Sequence, residues 1–187
     1  IQRGAVAIVG EKIPAGTALR VTYLQVSDVR RTLAQVAQRY FAFPDKSVDL
    51  VAVTGRYGKT TVASLTQHLL SGPAHRVGLI SSVHYNLGAR TVPAYRTTPE
   101  SLDLYGLLAQ MRDVGCRQAV LEVSAPALEQ QRVRGLNCGV ATFTGFIDGD
   151  HAAREASFEA QARLLMGNTG QAPRAAAVNV DDGHGGE

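Results

Sequence analysis

Leu50-Val51-Ala52-Val53 is an unbroken apolar run. Gly55-Arg56-Tyr57-Gly58-Lys59-Thr60-Thr61 begins two residues after it, followed by Val62, Leu65 and Leu69 at helical spacing. A strand with no polar face has no side to turn toward water, so it belongs inside a sheet covered on both faces. The glycine-rich turn then lets backbone N–H groups and the start of a helix approach an anion closely. In such a loop Lys59 supplies a point charge to terminal phosphates, and the Thr60 hydroxyl suits Mg²⁺. Gly55, Arg56, Tyr57, Gly58, Lys59, Thr60 and Thr61 are therefore the candidate nucleotide-binding residues. Only Arg56 and Tyr57 separate the two glycines, where a full G-x-x-x-x-G-K-[ST] loop has four residues.

The remaining pattern repeats this alternation. Apolar strands are predicted at Val77–Ile80, Ala119–Val123, Val140–Phe143 and Ala175–Val180. A helix is predicted from Thr98-Pro99-Glu100, with Thr98 as N-cap and Leu104, Leu107, Leu108 and Met111 as its buried stripe, and another over Glu155–Met166. The expected fold is α/β, a mostly parallel sheet with helices on both faces and ligands beyond the carboxyl ends of the strands. Before this block, Ala5–Val9 and Leu19–Val26 read as short strands. Ser27 reads as the N-cap of a helix to about Phe41 that buries Val29, Leu33, Val36, Ala37 and Tyr40. Phe43-Pro44-Asp45-Lys46 breaks that helix and marks a boundary between 1–44 and 45–187.

Composition narrows the classes. Of 187 residues 45% are hydrophobic, too many for a disordered chain. No apolar run approaches the roughly 20 residues of a membrane span, and Ile1–Gly10 has no secretory leader pattern. An opening on Ile1 without Met points to a piece of a longer protein. Two cysteines, Cys116 and Cys138, suit a reducing cytoplasm and small buried residues. Residues 1–46 carry seven basic and three acidic groups, whereas 47–187 are nearly neutral. With no basic run and no Trp, nucleic-acid binding is not expected, nor is membrane association, and a monomer is.

Glu122 ends an otherwise apolar strand at the edge where a ligand would lie. A carboxylate there needs a partner, and a cation supplies one, so Glu122 joins Lys59 as a candidate catalytic group and Thr60 as a metal ligand. His151, beside Asp150, is a further candidate ligand. His68 reads as a packed histidine, and His75, His84 and His184 show no ligand spacing.

Thr54-Gly55-x-x-Gly58-Lys59-Thr60-Thr61 resembles the T-G-T-N-G-K-T-T loop of the Mur ligases. Further matches follow in order. Thr97-Thr98-Pro99-Glu100 resembles the T-T-P-E of the UDP-N-acetylmuramoyl-tripeptide synthetase, or Mur ligase E, type. Glu122-Val123-Ser124-x-x-Ala127-Leu128-x-Gln130-x-Arg132-Val133 resembles E-V-S-S-H-A-L-x-Q-x-R-V. Phe143-Thr144 with Asp150-His151 is similar to F-T-N-L-x-x-D-H, and Ala177–Asp182 to the V-N-x-D-D that ends the central domain. The resemblance implies a three-domain enzyme of which this chain holds the end of the UDP-substrate domain (1–44), the central ATP domain (45–187) and none of the C-terminal domain. It implies ATP and Mg²⁺ as cofactors, and an amide bond made through an acyl phosphate on a UDP-muramoyl-dipeptide by an incoming diamino acid. It assigns Thr97, Thr98, Ser124, Gln130 and Arg132 to that substrate.

The chain also departs from the family pattern. Arg56-Tyr57 stand for Thr-Asn, Pro126 for His, Gly145 for Asn and Arg96 for the Asn before Thr-Thr, and Asp150-His151 is displaced by one residue. The family's carbamylated, Mg²⁺-holding lysine falls at Gln161, in Ala160-Gln161-Ala162-Arg163-Leu164, and no lysine follows Lys59. Two rival readings therefore stand beside the ligase: a non-catalytic nucleotide-binding relative, and an unrelated phosphate-loop ATPase or kinase.

Overall fold

The computed structural model describes residues 4–13, 21–145, 161–164, 167 and 171–181. Among them is a small parallel pair, β1 (Ala7–Gly10) with β2 (Thr22–Gln25), and a seven-stranded sheet. The sheet is made of β3 (Asp49–Thr54), β4 (Val77–Ile80), β5 (His84–Asn86), β6 (Thr91–Pro93), β7 (Gln118–Glu122), β8 (Cys138–Phe143) and β9 (Ala175–Val178), in the order β6-β5-β4-β7-β3-β8-β9. The β4, β7, β3, β8 and β9 neighbours are parallel; β5 runs antiparallel to both β4 and β6.

Successive side chains of the central strands serve two cores, as the period of 2 requires. Leu50, Ala52, Ile80, Ala119 and Leu121 face one side, with Leu104, Leu108 and Met111 of α3 (Ser101–Asp113). Val53, Leu79 and Val120 face the other, with Ala63 of α2 (Lys59–Leu70). Both faces are thus covered by helices. Truncating a leucine as enclosed as Leu121 would cost about 2–5 kcal/mol.

The predicted central strands stand within one or two residues. The hairpin β5–β6 was not expected, because three-residue strands that include Pro93 and a His carry almost no periodic signal. Its turn is built on Gly88, which has a positive φ and donates its N–H to Asn86 Oδ1. The last strand ends at Val178 rather than Val180. Of the helix expected over Glu155–Met166, residues 161–164 are helical and most of the rest lies outside the described residues.

Four local expectations are corrected. The helix α1 (Val29–Tyr40) is capped by Asp28, not Ser27; Asp28 Oδ1 accepts the Arg31 N–H at 2.8 Å. The buried face of α1 is Ala34 and Ala37, while Leu33, Val36 and Tyr40 are exposed, because small residues let α1 lie against α3. In α3 the N-cap is Glu100, not Thr98, whose hydroxyl is used elsewhere. In α2, Leu65, Leu69 and His68 are exposed and Ala63 is buried, so the helix face is rotated from the one expected.

The break at Phe43–Lys46 is a 3₁₀ turn over Pro44–Lys46. It is packed: Asp45 is buried and accepts from Gln38 of α1 and from the Asn137 N–H. Ala37, on the N-terminal side of residue 44, shares its core with Leu104 and Leu108.

Candidate nucleotide and acceptor site

The phosphate loop leaves β3 at Thr54, and Gly58, with φ 79°, caps α2. Gly55 has φ 130°, a region that a side chain resists. The Lys59 ammonium folds onto its own loop, donating to Gly55 O at 2.7 Å and Arg56 O at 2.9 Å. Burial holds that ammonium below its ordinary pKa; the Glu122 carboxylate opposes the shift and Arg56 adds to it. Arg56 and Tyr57 are exposed at the tip of the loop.

Glu122 is the last residue of β7, alongside the loop, and is 1% exposed. Thr60 Oγ1 donates to Glu122 Oε2 at 3.1 Å, and the Ser82 N–H donates to Oε1 at 3.1 Å. The hydroxyls of Thr60 and Ser82 are 2.9 Å apart. One carboxylate and two hydroxyls thus converge, a hard oxygen set of the kind that Mg²⁺ takes. Ser82 was not singled out from the sequence. Its only signal was its place just past the carboxyl end of β4, on the edge where such sheets bind ligands.

Thr144 and Gly145, after β8, hold the loop from its other flank. Thr144 N–H donates to Thr54 O at 2.9 Å, and its hydroxyl lies 2.5 Å from Tyr57 O and 3.1 Å from Thr54 O. The Arg56 N–H donates to Gly145 O at 2.8 Å. Asn179, just past β9, donates its side-chain N–H to Thr144 O.

The residues assigned to the acceptor substrate lie on the same sheet edge. Thr98 Oγ1 donates to Glu122 O at 2.8 Å and accepts the Ser124 N–H at 3.1 Å. Arg132 is 7% exposed. Its guanidinium bonds Thr98 O at 3.1 Å and Gln130 Oε1 at 2.7 Å and pairs with Glu100 at 3.1 Å. Thr97 and Ser124 are half-buried. The structure brings Thr97, Thr98, Ser124, Gln130 and Arg132 together, with Thr98 and Arg132 bonded inside the fold. Gln161 is buried, and Asp150 and His151 lie outside the described residues. Among the described residues no three His, Cys, Asp or Glu gather as a metal-binding group. Cys116 and Cys138 are buried free thiols, both with pKa values raised by burial, Cys138 to about 12.

A family model, the Mur ligase middle domain, matches residues 53–186. The chain belongs to the Mur ligase family. Curated members similar to it include the UDP-N-acetylmuramoyl-L-alanyl-D-glutamate–2,6-diaminopimelate ligases of Geobacter metallireducens, 36% identical over 98% of this chain, and of Solibacter usitatus, 37% identical over 97%. The chain spans 37% of the length of each. A solved structure of a ligase with that printed name superposes with a TM-score of 0.80 at 29% identity, over 99% of this chain and 37% of the other. A more distant fold relative, the UDP-N-acetylmuramoylalanyl-D-glutamyl-2,6-diaminopimelate–D-alanyl-D-alanyl ligase of Acinetobacter baumannii, gives a TM-score of 0.60 at 21% identity, over 96% of this chain and 35% of the other.

Proposed function

We propose that this chain is the ATP-binding core of an ATP-dependent amide ligase acting on UDP-N-acetylmuramoyl-L-alanyl-D-glutamate in cytoplasmic cell-wall precursor synthesis, with a diamino acid as the second substrate. The carrying observation is the Lys59–Thr60–Glu122–Ser82 cluster, which shares one sheet edge with the acceptor-side residues Thr97, Thr98, Ser124, Gln130 and Arg132, in a chain of this family.

In this reading the Gly55–Thr61 loop binds the triphosphate. Lys59 exchanges its two loop carbonyls for phosphate oxygens, which relieves a charge that burial disfavours. Thr60, Glu122 and Ser82 would hold Mg²⁺. Bound ATP supplies the phosphoryl group that activates the substrate carboxylate for attack by the amine. Arg132 and Thr98 fix the backbone around Ser124, and so set the position of the acceptor beside the loop. Residues 1–44 are assigned to the end of the UDP-substrate domain and 45–187 to the central domain. Among the described residues no helix is long and apolar enough to cross a membrane.

Calorimetric titration of ATP–Mg²⁺ into wild type and Lys59→Ala tests the nucleotide half. Removing the charge-assisted contacts should cost about 1.5–3 kcal/mol of binding. Equal affinities would remove Lys59 from the site and the proposal with it.

A further inference from the structure

Three arginines from three separate parts of the chain converge on one carboxylate. Glu100 receives Arg132 Nε at 3.1 Å, Arg30 Nη1 at 3.4 Å and Arg96 Nη1 at 3.7 Å. The three contacts are not equivalent. Arg132 is buried, and Thr98 O and Gln130 Oε1 occupy its other nitrogens. The side chains of Arg30 and Arg96 are each 50% exposed, and among the described residues Glu100 is the only hydrogen-bond or ion-pair partner of either guanidinium. One negative charge therefore faces three positive ones, and two of the guanidiniums keep N–H groups open to solvent.

The two exposed arginines stand on fixed backbone. The Arg96 N–H donates to the hydroxyl of buried Tyr85, and that hydroxyl donates to Arg96 O. Arg30 is in the first turn of α1, whose cap Asp28 is bound by Gln131, the neighbour of Arg132 in the chain. The nearby acids are otherwise engaged: Asp28 by Gln131 and the Arg31 N–H, and Asp103 by Tyr95. Arg96 and Glu100 lie two residues to either side of Thr98, whose hydroxyl is bonded to Glu122 O, so the cluster borders the acceptor side of the site.

Exposed single ion pairs contribute little to stability, and loose ones of 3.4 and 3.7 Å less. Fixing two guanidiniums at half-exposure around an already neutralised carboxylate therefore has little structural return. It does make a fork-shaped receptor for a second oxyanion, the geometry in which Arg binds carboxylate or phosphate well. We propose that Arg30 and Arg96, backed by Arg132 and Glu100, form a subsite for an anionic oxygen group, carboxylate or phosphate, of the acceptor substrate. This rests on the proposed function, whose acceptor carries both groups.

The test is calorimetry on the full 187-residue chain with UDP-N-acetylmuramoyl-L-alanyl-D-glutamate, UDP, L-alanyl-D-glutamate and ATP–Mg²⁺, each at low and high salt. Arg30→Gln and Arg96→Gln should each weaken the sugar-nucleotide peptide about three- to tenfold, flatten its salt dependence and leave ATP binding unchanged. The fragment that loses affinity in the same variants, UDP or the dipeptide, identifies the phosphate or the carboxylate as the occupant. Thermal melting separates a structural role: a double variant that melts lower but binds like wild type would overturn the subsite. Wild type that binds ATP but neither the sugar-nucleotide peptide nor a fragment would also overturn it, leaving the nucleotide site standing. Wild type that binds neither ATP nor the acceptor would overturn the proposed function itself.

Discussion

Gly55→Ala should strike the phosphate loop at its least tolerant point. Gly55 has φ 130°, and a Cβ there would lie 2.2 Å from Thr144 Oγ1 and 3.1 Å from the backbone nitrogens of Thr144 and Gly145. The hydroxyl can rotate away, but only by leaving Tyr57 O and Thr54 O; the two backbone nitrogens belong to the brace itself. Forcing an L residue into that backbone region costs about 1–3 kcal/mol. Losing the hydroxyl's bond adds about 0.5–1.5 kcal/mol. The sum, about 1.5–4.5 kcal/mol, corresponds to a fall of about 3–18 °C in Tm for a chain of this length. Thr144→Ala removes the clashing oxygen, so in that background Gly55→Ala should cost less, by about 0.5–1.5 kcal/mol, the signature of direct contact in a double-mutant cycle. Thr144→Ser keeps the oxygen and should keep the full penalty. Melting curves on the four chains of the cycle, with ATP titrations alongside, decide the matter. An unchanged Tm for Gly55→Ala, or strictly additive losses, would refute the brace. Wild-type ATP affinity in Gly55→Ala would refute the loop as a phosphate cradle.

Other expectations follow from the same geometry. In the proposed site Lys59 meets phosphate as a cation, and burial holds its pKa below the ordinary lysine value. ATP affinity should therefore be complete below that lowered pKa and decline as pH rises through it, while Lys59→Arg stays flat; a flat wild-type curve from pH 7 to 10.5 would contradict this. Mg²⁺ should tighten ATP binding in wild type and not in Glu122→Gln, and the same Mg²⁺ enhancement in both would remove Glu122 from the cation's oxygen set. With a non-hydrolysable ATP analogue, Mn²⁺ titration should show one tight ion per chain, because Gln161 offers a neutral amide where the family has a carbamate; two equally tight ions would show that another group compensates. Cys116 and Cys138, buried with raised pKa values, should resist alkylation at pH 8 until the chain is unfolded, and rapid native labelling would contradict their placement.

The sequence showed those parts whose physics is local. A fully enclosed strand needs apolar residues throughout, so Leu50–Val53 and Ala119–Val123 announced themselves, and the phosphate loop was legible because its glycines, lysine and threonine are contiguous. The face of α1 was misread because Leu33, Val36 and Tyr40 outweigh two alanines on any hydrophobicity argument, whereas close packing on α3 favours the smaller side chains. The caps shifted by one or two residues because Ser27 is as good a cap former as Asp28, and Thr98 a better one than Glu100, which makes no side-chain cap bond; only the tertiary contacts of the Thr98 hydroxyl decide against it. Ser82, Thr144 and the arginines around Glu100 come from separate stretches of chain, and nothing in their spacing marks them until the sheet has assembled.

Glu122 faces two ways. Its carboxylate holds Thr60 and Ser82 on the nucleotide side, while its own carbonyl oxygen accepts the Thr98 hydroxyl on the acceptor side. A single residue is thus common to both halves of the edge, with no flexible element between them. In the proposed reading, a ligand that moves the Glu122 backbone along with its carboxylate tilts the peptide unit on which Thr98, and through it Ser124, depends. Linkage then requires the converse, that occupancy on the acceptor side alters the free energy of filling the nucleotide side by the same amount. The end of β7 is thus the point through which the two proposed sites would share one reciprocal coupling free energy.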